Sequence, residues 1–251
     1  MISFTAEQVF LITGASSGIG EAIALQCNAL GGTVIANGRN RERLESNKLK
    51  ATAPERFHIE QRDLTKEIES LPLWVKSLRE KYGKLHGLVH AAGVSLTASL
   101  REYEFTTALK LFAIHVHVPL LLAKGFSDRR NNIGKGASIV FIASASAVVP
   151  VRGMVVYSSA KAAIIAAARS MSKELVGHGI RVNCISPGLV KTHMGDEYAN
   201  TLGEQNFATI VGLYPLGIGI PDDIASPAMF LLSHASSWMT GQNLYVAGGW
   251  E

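Results

Sequence analysis

The chain has 251 residues, of which 47% are hydrophobic and 18% are charged, so it can bury a sizeable core and is not disordered. Its net charge of +4 is modest and its Lys and Arg residues are scattered, which argues against a nucleic-acid-binding surface. No basic flank precedes an apolar run at the N-terminus, and apolar stretches such as 162–168 are too short to span a membrane. These features predict a cytoplasmic protein without a nucleic-acid or membrane partner.

Short β-rich runs alternate with longer segments of helical periodicity along the whole chain. The predicted strands are 9–12, 33–36, 57–59, 87–89, 138–142, 181–185 and 244–246. The main predicted helices are 20–30, 73–82, 104–126 and 157–177. Several strands are continuously apolar, as expected when helices cover both faces of a parallel sheet. The alternation predicts a single α/β domain over residues 1–251, with a doubly wound, mostly parallel sheet of the Rossmann type and helices on both faces.

A glycine-rich turn follows the first predicted strand and opens directly into a helix. Glycines permit a tight turn and let backbone N–H groups approach a pyrophosphate, while the helix N-terminus adds partial positive charge. Serine hydroxyls in the turn would add further donors. The turn therefore predicts a dinucleotide-binding site formed by Gly14, Ser16, Ser17, Gly18, Ile19 and Gly20.

The end of the second predicted strand favours NADP(H) over NAD(H). NAD sites usually place a carboxylate here to hold the ribose 2′-hydroxyl, and that carboxylate would repel a 2′-phosphate. This chain has Gly38 at that position and Arg39 next to it. A guanidinium pairs with phosphate through two parallel hydrogen bonds, so Arg39 is predicted to bind the 2′-phosphate.

Three residues predict acid–base chemistry on a carbonyl or alcohol. Tyr157 and Lys161 lie four residues apart on a predicted helix, so both side chains reach the same cleft. A nearby cation favours the ionised phenol, and lowering its pKa from about 10 to about 7 requires about 4 kcal/mol. Ser144 follows an apolar strand, where it can hold the substrate oxygen for proton transfer and hydride attack.

These residues resemble the short-chain dehydrogenase/reductase family in order and spacing, including the wide Gly-x-x-x-Gly-x-Gly turn. The general pattern is most similar to 3-oxoacyl-carrier-protein reductases. The resemblance implies hydride transfer between NADP(H) and a ketone or secondary alcohol, with Ser144, Tyr157 and Lys161 as catalytic residues. It also implies further cofactor-binding residues, namely Asp63, Leu64, His90, Ala91, Gly93, Pro187, Gly188, Val190 and Thr192, together with Tyr157 and Lys161 themselves.

The chain departs from the family pattern at two histidines. His90 begins a His-Ala-Ala-Gly segment where the family usually has Asn-Asn-Ala-Gly, and His115 stands where a helix asparagine usually supports the catalytic lysine through a water. One prediction is that His115 joins that proton relay and that its imidazole ionises in the working pH range. The alternative is that His115 only fills space and makes a structural hydrogen bond. Its i, i+2 spacing from His117 does not suit a metal, and no metal site is predicted. Cys27 and Cys184 are interpreted as buried, reduced thiols.

Several alternatives remain open at the level of sequence. The substrate is a small-molecule or carrier-bound carbonyl: a 3-oxoacyl thioester, or a sugar, steroid or other small metabolite. A non-catalytic NADP(H)-binding regulator is the competing class of function. Segment 193–213 is either a substrate lid or a packed helix pair. The resemblance also implies a homo-oligomer, a tetramer or dimer formed through the helices 104–126 and 157–177.

Overall fold

Residues 2–250 are described by the computed structural model, and they contain one seven-stranded sheet. Every neighbouring pair of strands is parallel, and the strand order is β3-β2-β1-β4-β5-β6-β7. The strands are β1 Val9–Thr13, β2 Thr33–Gly38, β3 Phe57–Gln61, β4 Leu85–His90, β5 Ser138–Ile142, β6 Arg181–Pro187 and β7 Asn243–Val246. All seven predicted strands are present, and the predicted fold class is confirmed.

Helices cover both faces of the sheet and enclose two large apolar cores. The helices are α1 Gly18–Ala29, α2 Arg41–Lys50, α3 Leu71–Tyr82, α4 Phe105–Phe112, α5 Val118–Ser127, α6 Val155–Leu175, α7 His193–Leu202, α8 Glu204–Val211 and α9 Pro221–Leu232. The sequence did not predict α2, because it carries almost no apolar stripe. Asn40 begins it by accepting a hydrogen bond from the backbone N–H of Arg43. Cys27 and Cys184 are buried free thiols, as predicted.

The helix predicted over 104–126 is interrupted at its middle. Residues Ala113–His117 form a π-helical turn between α4 and α5, in which the backbone N–H of Val118 bonds to the carbonyl of Ala113. By length and composition, the whole segment Phe105–Ser127 is long and apolar enough to cross a membrane. The expectation that the apolar stretches are too short to do so did not take this segment into account. One such helix is weak evidence, since core helices pass the same test, and α5 packs against α3 in this fold.

The topology creates a crevice beside the carboxyl end of β1. The chain runs outward from β1 to β2 and β3, then returns to place β4 on the other side of β1. Helices leaving the two strands therefore go to opposite faces, and a groove opens between them. The glycine-rich turn after β1 and the segment after β4 border this groove.

Candidate active site

A cleft of about 710 Å³ lies at the crevice and is lined by the predicted dinucleotide-binding residues. Its lining includes Gly14, Ser16, Ser17, Gly18, Ile19, Gly20, Arg39, Asp63, Leu64, Ala91, Gly93 and Thr192. The turn itself has room only for glycine. A Cβ on Gly14 would lie 2.7 Å from the backbone nitrogen of Ala92, and one on Gly20 would lie 2.2 Å from the carbonyl oxygen of Gly14. Such a bare backbone cradle at a helix N-terminus fits a pyrophosphate.

The far end of this cleft carries positive charge, which suits a nucleotide phosphate. Arg39 is exposed and lines the cleft beside Gly38, the last residue of β2. Burial alone would raise the pKa of Asp63, but hydrogen bonds from Thr65 and the positive charges of Arg39 and Lys66 together hold it below its usual range. Asp63 is thus an ionised neighbour of Arg39 on the cleft wall.

The three predicted catalytic residues line a second cavity, of about 480 Å³, which shares Ala91, Gly93 and Thr192 with the cleft. Ser144 follows β5 and begins a short 3-10 turn, where its Oγ accepts a hydrogen bond from the backbone N–H of Ser146 at 3.2 Å. The two serine hydroxyl oxygens lie 2.9 Å apart. Ser146, which the sequence did not single out, therefore fixes the orientation of Ser144.

Lys161 is buried and anchored to the end of β5. Its Nζ donates a hydrogen bond to the carbonyl oxygen of Ile142 at 2.8 Å and lies 5.6 Å from the ring centroid of Tyr157. Tyr157 is also buried, one helical turn before Lys161 on α6. The parallel sheet thus brings the end of β5 and the first turns of α6 into a single catalytic group.

The predicted fall in the pKa of Tyr157 is wrong for this structure. Burial raises the pKa of the phenol to about 12, although a hydrogen bond with Ser144 acts to lower it. Burial also lowers the pKa of Lys161 to about 7. Burial therefore disfavours the charged form of both groups, the Lys161 ammonium and the Tyr157 phenolate. Tyr157 is consequently a protonated phenol at neutral pH, which is the form that can donate a proton.

His90 does not line either cavity, contrary to its predicted contact with the cofactor. Its ring is buried. Its Nδ1 lies 3.0 Å from Thr13 Oγ1, and its Nε2 lies 3.0 Å from the carbonyl oxygen of Ile114. The carbonyl can only accept, so Nε2 carries the proton and Nδ1 accepts from the threonine hydroxyl. His90 therefore ties the ends of β1 and β4 to the π-helical turn, and it acts behind the cofactor cleft rather than in it.

His115 lies on the π-helical turn and does reach the catalytic cavity. Its ring meets Tyr157 edge-on, with centroids 5.4 Å apart, and its Nε2 lies 2.7 Å from the carbonyl oxygen of Val94. Its Nδ1 is buried and has no partner among residues 2–250. Burial first, and then the charge of Lys161, hold the pKa of His115 well below its usual value. The predicted titration in the working pH range is therefore wrong.

The remaining predicted residues close the second cavity. Pro187, at the end of β6, and Gly188 and Val190, just after it, line this cavity. A Cβ built on Gly18 would lie 3.1 Å from Thr192 Cγ2. Segment 193–213 is a helix pair, α7 and α8, with no fully buried residue of its own. It nevertheless contributes Met194, Tyr198, Ile210 and Leu213 to the cavity wall.

An aromatic pair that the sequence did not indicate completes this wall. Tyr214 and Trp250 stack with centroids 5.4 Å apart and an interplanar angle of 26°. The Tyr214 hydroxyl accepts a hydrogen bond from the backbone N–H of Leu189 at 3.0 Å. The pair therefore joins the C-terminal segment to the loop after β6. Across residues 2–250, no group of three His, Cys, Asp or Glu side chains is placed to hold a metal ion.

Comparisons with known proteins agree with this geometry. Residues 14–251 match the family model described as enoyl-(acyl carrier protein) reductase. The chain is 35% identical to the 3-oxoacyl-[acyl-carrier-protein] reductase FabG of Rickettsia prowazekii, over 95% of each chain. It is 30% identical to BbsD of Thauera aromatica, a (2S)-[(R)-hydroxy(phenyl)methyl]succinyl-CoA dehydrogenase subunit, over 96% of each. A Beutenbergia cavernae structure with bound NADP at low occupancy is 28% identical, with a TM-score of 0.88 over 99% of this chain and 98% of that one. The chain is an oxidoreductase of the short-chain dehydrogenase/reductase family.

Proposed function

We propose that the protein reduces a ketone to a secondary alcohol with NADPH, or catalyses the reverse oxidation. The observation that carries the proposal is the meeting of Ser144, Tyr157 and Lys161 in one cavity that adjoins the glycine-lined cleft. The nicotinamide, when bound, supplies or accepts the hydride. Steady-state oxidation of NADPH with a panel of ketones tests this function. Cofactor binding without turnover of any ketone would instead favour the regulatory alternative.

The protein's own residues perform the proton chemistry. The Ser144 hydroxyl, held by Ser146, donates a hydrogen bond to the carbonyl oxygen and fixes its position. Tyr157, protonated at neutral pH, donates its proton to the same oxygen as negative charge develops there. In its charged form, the buried Lys161 beside the phenol stabilises the phenolate that remains. Tyr157→Phe should abolish turnover and leave cofactor binding intact.

The proposed cofactor preference is NADP(H). The exposed guanidinium of Arg39 and the bare Gly38 beside it leave room and positive charge for a 2′-phosphate. Arg39→Leu should weaken NADPH binding by about tenfold or more, because charge-assisted hydrogen bonds are worth about 1.5–3 kcal/mol, and should leave NADH binding unchanged. Equal affinity of the native protein for both cofactors would contradict the assignment.

We propose that His115 supports the catalytic residues as a neutral ring. Nε2 lies 2.7 Å from the Val94 carbonyl, which can only accept, and 3.3 Å from the Val94 backbone N–H; the shorter contact favours the proton on Nε2. The unpartnered Nδ1 is then an acceptor within the catalytic cavity. A water donating to Nδ1 would connect Lys161 with solvent. His115→Asn retains an acceptor and should keep turnover, whereas His115→Leu removes it and should lower kcat with little change in KM. Equal kcat in both variants would show that the ring only fills space.

The substrate we propose is a carbonyl compound attached to a thioester, since the FabG relative acts on a carrier-bound substrate and BbsD on a CoA thioester, as their names state. Docking of an acidic carrier would use exposed basic residues such as Arg129 and Lys173. Arg130 is less available, because its Nη2 lies 2.6 Å from Asp128 Oδ2. Charge reversal at Arg129 and Lys173 should slow turnover of the carrier-bound substrate and spare a short thioester analogue. No activity on any 3-oxoacyl thioester would favour a small-metabolite substrate.

We also propose that the protein is a homo-oligomer, dimer or tetramer, that associates through α4, α5 and α6. Phe105, Leu109 and Val155 are exposed apolar side chains on α4 and α6, which suits burial against a second copy. Light scattering of the purified protein tests the assembly. Phe105→Lys with Leu109→Lys should yield a monomer if this surface is the interface.

A further inference from the structure

The wall of the catalytic cavity has an uneven distribution of charge. Among the described residues that line it there is no Asp or Glu, and the only Lys or Arg side chains are Lys161 and Arg152. Most of the remaining wall is apolar or aromatic. A cavity without an acidic residue keeps whatever positive charge it holds uncompensated, and so favours an anionic ligand.

Only one of the two cations is available to a ligand. Lys161 is buried and its Nζ is already bonded to the carbonyl of Ile142. Arg152 is exposed at the edge of the cavity, and within residues 2–250 it forms no ion pair or hydrogen bond. The Arg152 guanidinium therefore has all its donors available beside the substrate.

The backbone that carries Arg152 is held in place. The next residue, Gly153, accepts a hydrogen bond from the backbone N–H of Ala98 at 2.8 Å, and its φ of 79° closes the turn before α6. The loop after β4 and the loop before α6 are thereby joined at the rim. Arg152 thus projects from an anchored loop at the entrance to the catalytic cavity.

We propose that the substrate carries an anionic group, a carboxylate or a phosphate, which Arg152 binds while the carbonyl lies at Ser144 and Tyr157. This inference rests on the proposed reductase function and adds a second recognised group to its carbonyl substrate. A guanidinium binds either anion through two parallel hydrogen bonds. The apolar wall formed by Met154 and Leu213 would contact the carbon chain between the two groups.

Matched pairs of ketones test the inference. Laevulinate is compared with methyl laevulinate, and dihydroxyacetone phosphate with dihydroxyacetone, because each pair differs in its anionic group. KM and kcat are measured with NADPH for the native protein, Arg152→Gln and Arg152→Lys. The control variant is Arg101→Gln, an exposed arginine outside the cavity. Calorimetric titration of the same four compounds in the presence of NADP⁺ supplies a second readout that needs no turnover.

We expect Arg152→Gln to weaken the binding of the anionic member of a pair by about tenfold and to leave the neutral member unchanged. Arg152→Lys should recover part of the loss, and Arg101→Gln should show none. The pair that discriminates more strongly identifies carboxylate or phosphate as the preferred anion. Equal binding of charged and neutral members, or equal effects of the Arg152 and Arg101 variants, would overturn the inference. Absence of turnover with retained discrimination in calorimetry would refute the reductase function alone.

Discussion

Replacement of Lys161 by methionine should stabilise the fold while it abolishes turnover. Burial lowers the pKa of this ammonium from 10.5 to about 7 in the folded protein. The folded state thus binds fewer protons than the unfolded state between these values, so the stability of the native protein rises with pH across this window and is lost as pH falls through 7. Below pH 7 the full penalty of the buried charge is about 4.8 kcal/mol, from about 3.5 pKa units at about 1.36 kcal/mol each.

Methionine removes this penalty but leaves the carbonyl of Ile142 without its lysine donor, at a cost of about 1–3 kcal/mol. The net gain at pH 7 should therefore be about 2–4 kcal/mol in the free energy of unfolding. Between pH 7 and pH 9 the advantage should shrink by about 2.3 kcal/mol, because the native lysine, half protonated at pH 7, becomes neutral.

Urea unfolding of both proteins at pH 6, 7, 8 and 9 measures the difference. Lys161→Arg is a suitable control, since a guanidinium stays charged at every pH and should not close the gap. A stability difference between native protein and Lys161→Met that is constant from pH 6 to pH 9 would refute the reasoning.

Three further predictions follow from buried contacts near the site. Burial, reinforced by the charge of Lys161, lowers the pKa of His90 from 6.5 to about 3. The stability of the native protein should therefore fall as pH drops below 6.5, by about 2 kcal/mol at pH 5. In urea unfolding, His90→Asn should show a smaller loss over the same pH range. A Cβ on Gly93 would lie 2.4 Å from His115 Cε1, so Gly93→Ala should destabilise by about 1–3 kcal/mol. Thermal unfolding should show the loss in the native background and not with His115→Asn. A Cβ on Gly38 would lie 3.0 Å from Ser16 Cβ, so the Ser16 side chain crowds the new carboxylate in the double variant Gly38→Asp with Arg39→Leu. Adding Ser16→Gly should relieve this contact and increase the preference for NADH, measured by cofactor titration.

The sequence predicted most of the scaffold because its signals are local. Short β-rich runs, several of them continuously apolar, mark all seven strands, and the glycine-rich turn lies at the crevice where its spacing placed it. The i, i+4 pair Tyr157 and Lys161 needed only helical geometry to share a cavity. Helix α2 was missed because its sequence, Arg41–Lys50, is nearly all polar and is defined by its cap at Asn40 and by packing.

Features that depend on contacts between distant segments were not predictable. The π-helical turn has no periodicity of its own and is held by His90 and by the contact of His115 with Val94. The direction of the Tyr157 pKa depends on how completely α6 is buried, which spacing does not reveal. Arg152 gave no motif, because its availability follows from the absence of an acidic neighbour in the folded cavity.

The π-helical turn at Ala113–His117 has a consequence for the length of the chain. Such a turn holds one residue more than an α-helix needs to span the same rise, so deletion of a single residue there restores a regular helix between fixed ends. Helices α4 and α5 could retain their places, but His115 would leave the catalytic cavity and the carbonyl of Ile114 would return to the helix. A deletion inside a core helix, normally disruptive, would here preserve the fold but remove His115 from the catalytic cavity.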